Sequence, residues 1–289
     1  MSDVLYDAPG PRARARNMIF NVVGLVLILV LAWFVYDRLA EDPPGVGTSQ
    51  WDPDKWKPFI QWDTWSKFLL PGIGNTLKAA LVAGVLAVAF GLIFAVGRMS
   101  ENRAIAWASA TVVEFCRSVP LLIMMIFLWL APTALFGADA NVFMAVVVAL
   151  MLYNGSVLAE VVRAGVHSLP KGQQEAGAAL GLTSGQNMRF ILLPQAFRAM
   201  LPAIIAQLVV LLKDSALGYY IGYTELLRQG DTLASNSGVS NSLQALIVVA
   251  AIFITLNLSL GKLASWVEAR SRRAGRPTVK AITAAPEPV

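Results

Sequence analysis

The sequence predicts an all-α polytopic membrane protein, and three observations lead there. Hydrophobic residues make up 56% of the 289 and charged residues only 14%, with a mean hydropathy of +0.61; soluble chains rarely carry that balance. The apolar residues gather into six stretches that meet or approach the roughly 20 residues a helix needs to cross a bilayer core. Within each stretch they are continuous rather than alternating, which argues against barrel strands. An isolated strand would also leave its backbone groups unpaired in lipid.

Spans are expected near residues 18–38, 74–97, 106–131, 142–164, 196–221 and 243–267. The first follows a basic segment, 1–17, holding Arg12, Arg14 and Arg16. That start resembles a signal peptide, but the apolar run is long enough to span and no small-residue cleavage site follows, so it reads as a retained helix. Segment 39–71 carries Pro43-Pro44 and Trp51, Trp56, Trp62 and Trp65; rings this dense beside a membrane read as interfacial anchors. Residues 72–267 hold the other five spans, with a polar connection at 168–194. There Pro170 and Gly172 can start a short helix, Gly181 can end it with a left-handed backbone, and a second short helix follows up to Pro194. The tail 268–289 is basic and then rich in Ala and Pro. With no periodic apolar face, it is expected to be disordered.

Lys and Arg in the connections set the orientation. With the N-terminus inside, the inner side holds Arg12, Arg14, Arg16, Arg98, Arg103, Arg163, Lys171, Arg189, Arg198, Lys262, Arg270, Arg272, Arg273, Arg276 and Lys280. The outer side holds Arg38, Lys55, Lys57, Lys67, Lys213 and Arg228, so the count is fifteen against six. Both termini and the 168–194 loop are therefore expected in the cytoplasm. The net charge of +5 suits a membrane surface better than nucleic acid, because the cations flank apolar runs and lack interleaved stacking aromatics.

Two Glu-x-x-Arg pairs, Glu114/Arg117 and Glu160/Arg163, sit in expected spans. At i,i+3 each pair shares a helix face and its charges can neutralise each other. An ionised group near the bilayer centre costs about 2.5–3.5 kcal/mol on insertion scales, so both pairs should face the bundle interior or a wet cavity. Each is then either a structural pair or a contact for substrate. Lys213, Asp214 and Ser215 close the fifth apolar run, which also contains Gln207; they read either as a cap at the outer surface or as part of the pathway. A ligand that carries both charges needs an anion site and a cation site. Arg163, Arg117 and Lys213 can supply positive charge, while Asp214 or Glu160 can supply negative charge. His167, the only histidine, reads as a loop residue, and the single Cys116 can form neither an intrachain disulfide nor a metal cluster.

The loop holds the most specific signal. Glu175-Ala-Gly-Ala-Ala-Leu-Gly181 is followed by Ile191-Leu-Leu-Pro194, a spacing that resembles the signature cytoplasmic loop of bacterial ABC importer permeases, with Gly177 where that family usually has Ala. Tyr153-Asn-Gly-Ser through Gly172, Glu114-Phe-Cys-Arg117-Ser-Val-Pro120 and Leu212-Lys-Asp214-Ser215-Ala-Leu217 resemble the polar amino-acid branch, which serves histidine, glutamine, glutamate and arginine. The Asp7-Ala-Pro-Gly-Pro-Arg12 start and the additional first helix look most like the glutamate-system permeases. The resemblance covers about residues 72–267 and implies a type I importer permease fold: a five-helix core plus one extra N-terminal transmembrane helix. It implies that Glu175, Ala176, Gly177 and Gly181 contact an ATPase, with Leu180 and Leu182 as apolar fillers and Pro194 closing the signature. Because the family's ligand site lies between the central helices, it implies a substrate pathway past Glu160 and Arg163, with Arg117, Glu114, Asp214 and Ser215 as further candidates read from their charge and position.

The same resemblance implies partners: a pair of ATPase subunits that bind ATP and Mg, a second permease subunit, and an extracytoplasmic amino-acid-binding protein. The chain itself has no Gly-x-x-x-x-Gly-Lys-Ser/Thr phosphate loop, Gly-x-Ser-x-Gly elbow or His-Glu-x-x-His pair. No catalytic, cofactor or metal residues are assigned to it. The alternative reading is a stand-alone secondary transporter or channel, which would show inverted repeats around an ion site.

Overall fold

A computed structural model describes residues 10–41, 49–236 and 241–274. Its first helix is α1 (Pro11–Ala40), followed by two short helices, α2 (Pro53–Trp56) and α3 (Trp62–Thr64), the second running through a π turn into α4 (Leu70–Arg98). Next come α5 (Arg103–Ser118), α6 (Leu121–Phe136) and α7 (Val142–His167), then α8 (Lys171–Ala179) and α9 (Ser184–Asn187). A second π turn leads into α10 (Leu193–Asp214), a 3₁₀ turn (Ser215–Ile221) follows, and α11 (Leu226–Asn236) and α12 (Ser242–Ala274) complete the fold. No strand occurs among the described residues.

The core is the α4–α7 pair, and its sequence cause is small residues at four-residue spacing. Ala79, Ala83, Ala87, Gly91 and Ala95 are all buried on one face of α4. A Cβ on Gly91 would lie 2.8 Å from Leu158 Cβ and 3.1 Å from the Gly155 carbonyl; a Cβ on Gly155 would meet the Ala87 carbonyl at 3.1 Å. The two backbones therefore approach through reciprocal glycines, which is how helices gain packing energy where lipid supplies no hydrophobic drive. Across α7, Gln207 of α10 donates its amide to Asn154 Oδ1 at 2.7 Å, and Asn154 itself donates to the Leu150 carbonyl at 3.1 Å. Burying these amides is tolerated because each finds a partner.

Among the described residues five helices are long and apolar enough to cross a membrane, and α5 with α6 makes a sixth crossing only as a broken span, bent by 101°. The single helix expected over 106–131 is thus corrected. Pro120 cannot donate to the helix and disfavours helical backbone in Val119 before it, so α5 stops at Ser118 and α6 restarts at Leu121. Helix α1 already starts at Pro11, drawing Arg12, Arg14 and Arg16 into it, and none of its residues is buried. Its C-terminal end is tied down: Trp51 stacks on Tyr36 with ring centroids 5.4 Å apart, and Gln50 N–H donates to the Leu39 carbonyl at 3.0 Å. Helix α12 runs to Ala274, past the point at residue 268 where disorder was expected; residues 275–289 lie outside the described residues. His167 closes α7 rather than lying in a loop.

Candidate functional site

The two Glu-x-x-Arg pairs form one network, joined by a residue that sequence reasoning placed only among the loop cations. Arg98, the last residue of α4, reaches Glu114 Oε1 at 3.1 Å and Glu160 Oε1 at 2.5 Å. Arg163 clasps Glu160 Oε2 through Nε at 3.0 Å and Nη2 at 2.9 Å, while Arg117 stands 3.8 Å from Glu114. Three guanidiniums therefore hold two carboxylates at the shared end of α4, α5 and α7. Arg98 is the most enclosed, with 14% of its side chain exposed. The cue was its spacing: Gly97 lets α5 approach, and a Cβ there would lie 3.1 Å from Ser109 Cβ.

Asp214 and Ser215 are at the other end. Gly218 packs against Val146 near the start of α7, and at 1.5 Å per residue Glu160 lies about 21 Å further along that helix. The six residues expected along one pathway therefore fall into two groups, too far apart for one amino acid to touch both. Ser215 is wholly buried and its hydroxyl donates to the Leu212 carbonyl at 2.7 Å, so it caps a helix end and offers nothing to a ligand.

This other end has its own polar lock, one the sequence did not advertise. Tyr223 donates to the Asn75 carbonyl at 2.9 Å, and Asn75 donates back to the Thr224 carbonyl at 2.8 Å. The Glu225 carboxyl accepts the N–H groups of Leu227 at 2.8 Å and Arg228 at 2.7 Å, capping α11. Glu225 lies beyond the span that ends at Ile221 and is fully buried. Burial pushes its carboxyl up to about 7 from 4.5, against the two amide hydrogen bonds that lower it. The fold thus favours the protonated form: the stabilisation is complete below about 4.5 and is lost as pH rises through about 7. Thermal denaturation of the solubilised chain should show wild type losing about 3 kcal/mol between pH 5 and pH 9, a loss absent in Glu225→Gln.

The 168–194 loop is a rigid element. Helix α8 ends in a Schellman motif: Leu182 N–H bonds to the Gly177 carbonyl at 3.1 Å and Gly181 N–H to that of Ala178 at 2.9 Å. This requires the left-handed backbone that Gly181 takes at φ +75°. Thr183 and Gln186 form a capping box on α9. Ser184 donates to Glu101 in the α4–α5 turn, and Gln195 of α10 donates to Gln173 of α8 at 3.2 Å, fastening the loop on two sides. Glu175, Ala176, Gly181 and Pro194 are exposed, Leu182 is half-buried, and Leu180 presents 78% of its surface to solvent.

Gly177 departs from expectation. It is buried and faces inward, where a Cβ would lie 2.6 Å from Asn187 Cγ. Asn187 fills that space and donates to the Gln174 carbonyl at 2.9 Å, locking α9 against α8. Gly177 therefore shapes the loop from within rather than facing solvent. The space a Cβ would need here is held by the asparagine ten positions later, a pairing no local pattern signals.

Between this loop and the bundle lies a cavity of about 370 Å³. Its wall includes Arg98 and Arg163 from the network, His167, and Lys171 and Gln174 of α8.

The family model for the binding-protein-dependent transport system inner membrane component matches residues 87–273. The chain is 48% identical over 243 residues to the glutamate transport system permease protein GluD of Corynebacterium glutamicum, covering 83% of this chain and 88% of that one. It is 30% identical to the glutamate/aspartate import permease protein GltK of Escherichia coli O157:H7, over 71% of this chain and 93% of that one. Among solved structures it is similar to a crystal structure of an amino acid ABC transporter with histidines, at TM-score 0.66 and 31% identity, covering 73% of this chain and 98% of the other.

Proposed function

We propose, from the premise that this chain belongs to the family of binding-protein-dependent transport system inner membrane components, that it forms the glutamate pathway of an importer powered by a separate ATPase. It is a multi-pass inner-membrane permease subunit of an amino-acid ABC importer with the type I permease fold. The stand-alone carrier falls with that membership.

The observation that carries the glutamate reading is the 48% identity to a glutamate permease along most of both chains. The charge network is consistent with it in a limited sense: three arginines against two glutamates leave one net positive charge at the end of the α4–α5–α7 bundle. That charge suits the exit of an anion. Arg98 holds both carboxylates and Arg163 clasps Glu160, so Arg117, 3.8 Å from Glu114 and with 40% of its side chain exposed, is the member of the network best placed to meet a passing carboxylate through a planar fork.

The remaining assignments follow the same reading. Both termini and the α8–α9 loop are cytoplasmic, a second permease subunit completes the pathway, and an extracytoplasmic binding protein delivers the amino acid. ATP and Mg belong to the ATPase. Glu175, Ala176, Leu180, Gly181 and Pro194 form the docking face, with Leu182 as a partly covered filler, and closure of the ATPase pair tips the permease between outward-facing and inward-facing states. The test is uptake of labelled glutamate in cells carrying or lacking this chain. Uptake should fall at least tenfold without it, and unlabelled glutamate should compete at a lower concentration than glutamine or arginine. Arginine or glutamine competing best would contradict the glutamate assignment.

A further inference from the structure

We propose that the cavity between the bundle and the α8–α9 loop binds the phosphate of an anionic membrane lipid. The charge of its wall is one-sided. Arg98, Arg163 and Lys171 line it, His167 adds a ring nitrogen, and no Asp or Glu is among the lining residues. Helix α8 begins on this wall with Pro170 at its N-cap, no side-chain cap and no acidic residue in its first turn, so the positive end of its dipole is uncompensated by any side chain. Glu160 and Glu114 neutralise part of the two arginines from behind, but Lys171 is exposed on the cavity side with no carboxylate among the lining residues.

The rest of the wall selects the kind of anion. Met99, Val166, Leu169, Met188 and Leu192 line the same cavity, giving an apolar surface beside the cations. Free phosphate or a small carboxylate leaves that surface wet. A phospholipid covers it with glycerol and the first methylenes while its phosphate meets the guanidiniums and the ammonium. The position agrees, because the cavity lies where the membrane-length helices α4 and α7 end. It is bounded on one side by the bundle and on the other by α8 and the π turn before α10. A bound lipid therefore braces the loop against the core. Only the choice of inner leaflet rests on the cytoplasmic placement proposed above. Binding by the solubilised chain does not, so the two ideas fail separately.

The test titrates the purified full-length chain in detergent with phosphatidylglycerol, phosphatidylcholine and inorganic phosphate, counting bound molecules by native mass spectrometry. Wild type should retain one phosphatidylglycerol in preference to phosphatidylcholine, and Lys171→Glu should weaken that at least tenfold. An acidic residue is favourable in the first turn of a helix, so this variant keeps α8 folded and the loss is not one of structure. Lys57→Glu, which changes charge by the same amount on the opposite side, should bind as wild type does. The proposal is overturned if Lys171→Glu binds phosphatidylglycerol like wild type. It is equally overturned if phosphatidylcholine binds as well, or if inorganic phosphate occupies the site more tightly than the lipid.

Discussion

Replacing Arg98 with leucine is expected to cost about 3 kcal/mol of stability, the low end for removing one member of a buried ion pair. Arg98 alone touches both Glu114 and Glu160, so its loss leaves Glu160, four-fifths enclosed, with only Arg163 beside it. Lysine at 98 should recover only part of the loss, since one ammonium cannot satisfy two carboxylates as a guanidinium does. The double variant Arg98→Leu/Glu160→Gln should be more stable than Arg98→Leu alone, because the stranded charge is removed with its partner. Denaturation midpoints of the solubilised chain measure all three. An Arg98→Leu midpoint equal to wild type would show that the network contributes nothing to the fold.

The second large effect concerns the loop. Gly177→Leu is expected to leave the protein inserted in the membrane and to lower substrate-stimulated ATPase activity of the assembled importer at least tenfold. The side chain would enter the space held by Asn187, break its bond to the Gln174 carbonyl and swing α9 away from α8. Gly177→Ala should show a smaller loss of the same kind, and Asn187→Gly alone, which removes the same bond without adding bulk, should also lower activity. A loss at Asn187, which is buried, separates an internal packing fault from loss of a contact surface. If Gly177→Ala behaved as wild type and Asn187→Gly changed nothing, the lock between α8 and α9 would have no bearing on coupling.

Much of this architecture can be read from residues because lipid narrows the choices. Runs such as 142–164 and 243–267 must be helical to pair their backbone groups, and α7 and α12 are helices there. The loop helix was legible for a similar reason: glycine tolerates the left-handed backbone that Gly181 takes at φ +75°, whereas the Thr183–Gln186 capping box on α9 went unread. The break in the third span was written in Pro120, but the surrounding apolar run hides it from a hydropathy reading. What escaped were contacts between residues distant in sequence. Nothing near Arg98 names Glu160, and nothing near Gly177 names Asn187, since both partnerships exist only once α4 has packed on α7 and α9 has folded back on α8. The lock around Glu225 is the same case: its neighbours Tyr223 and Leu226 bond to Asn75 and Thr76, about 150 residues earlier.

The most direct measurement of the central claim, that the 175–194 face receives the ATPase, is site-specific photo-cross-linking in membranes containing the whole importer. A cross-linker in place of Leu180, whose side chain stands 78% exposed, should capture the ATPase subunit. One in place of Trp62, 72% exposed beside the opposite end of the bundle, should not. Capture of the ATPase from position 62 and not from position 180 would contradict both the docking face and the orientation of the chain.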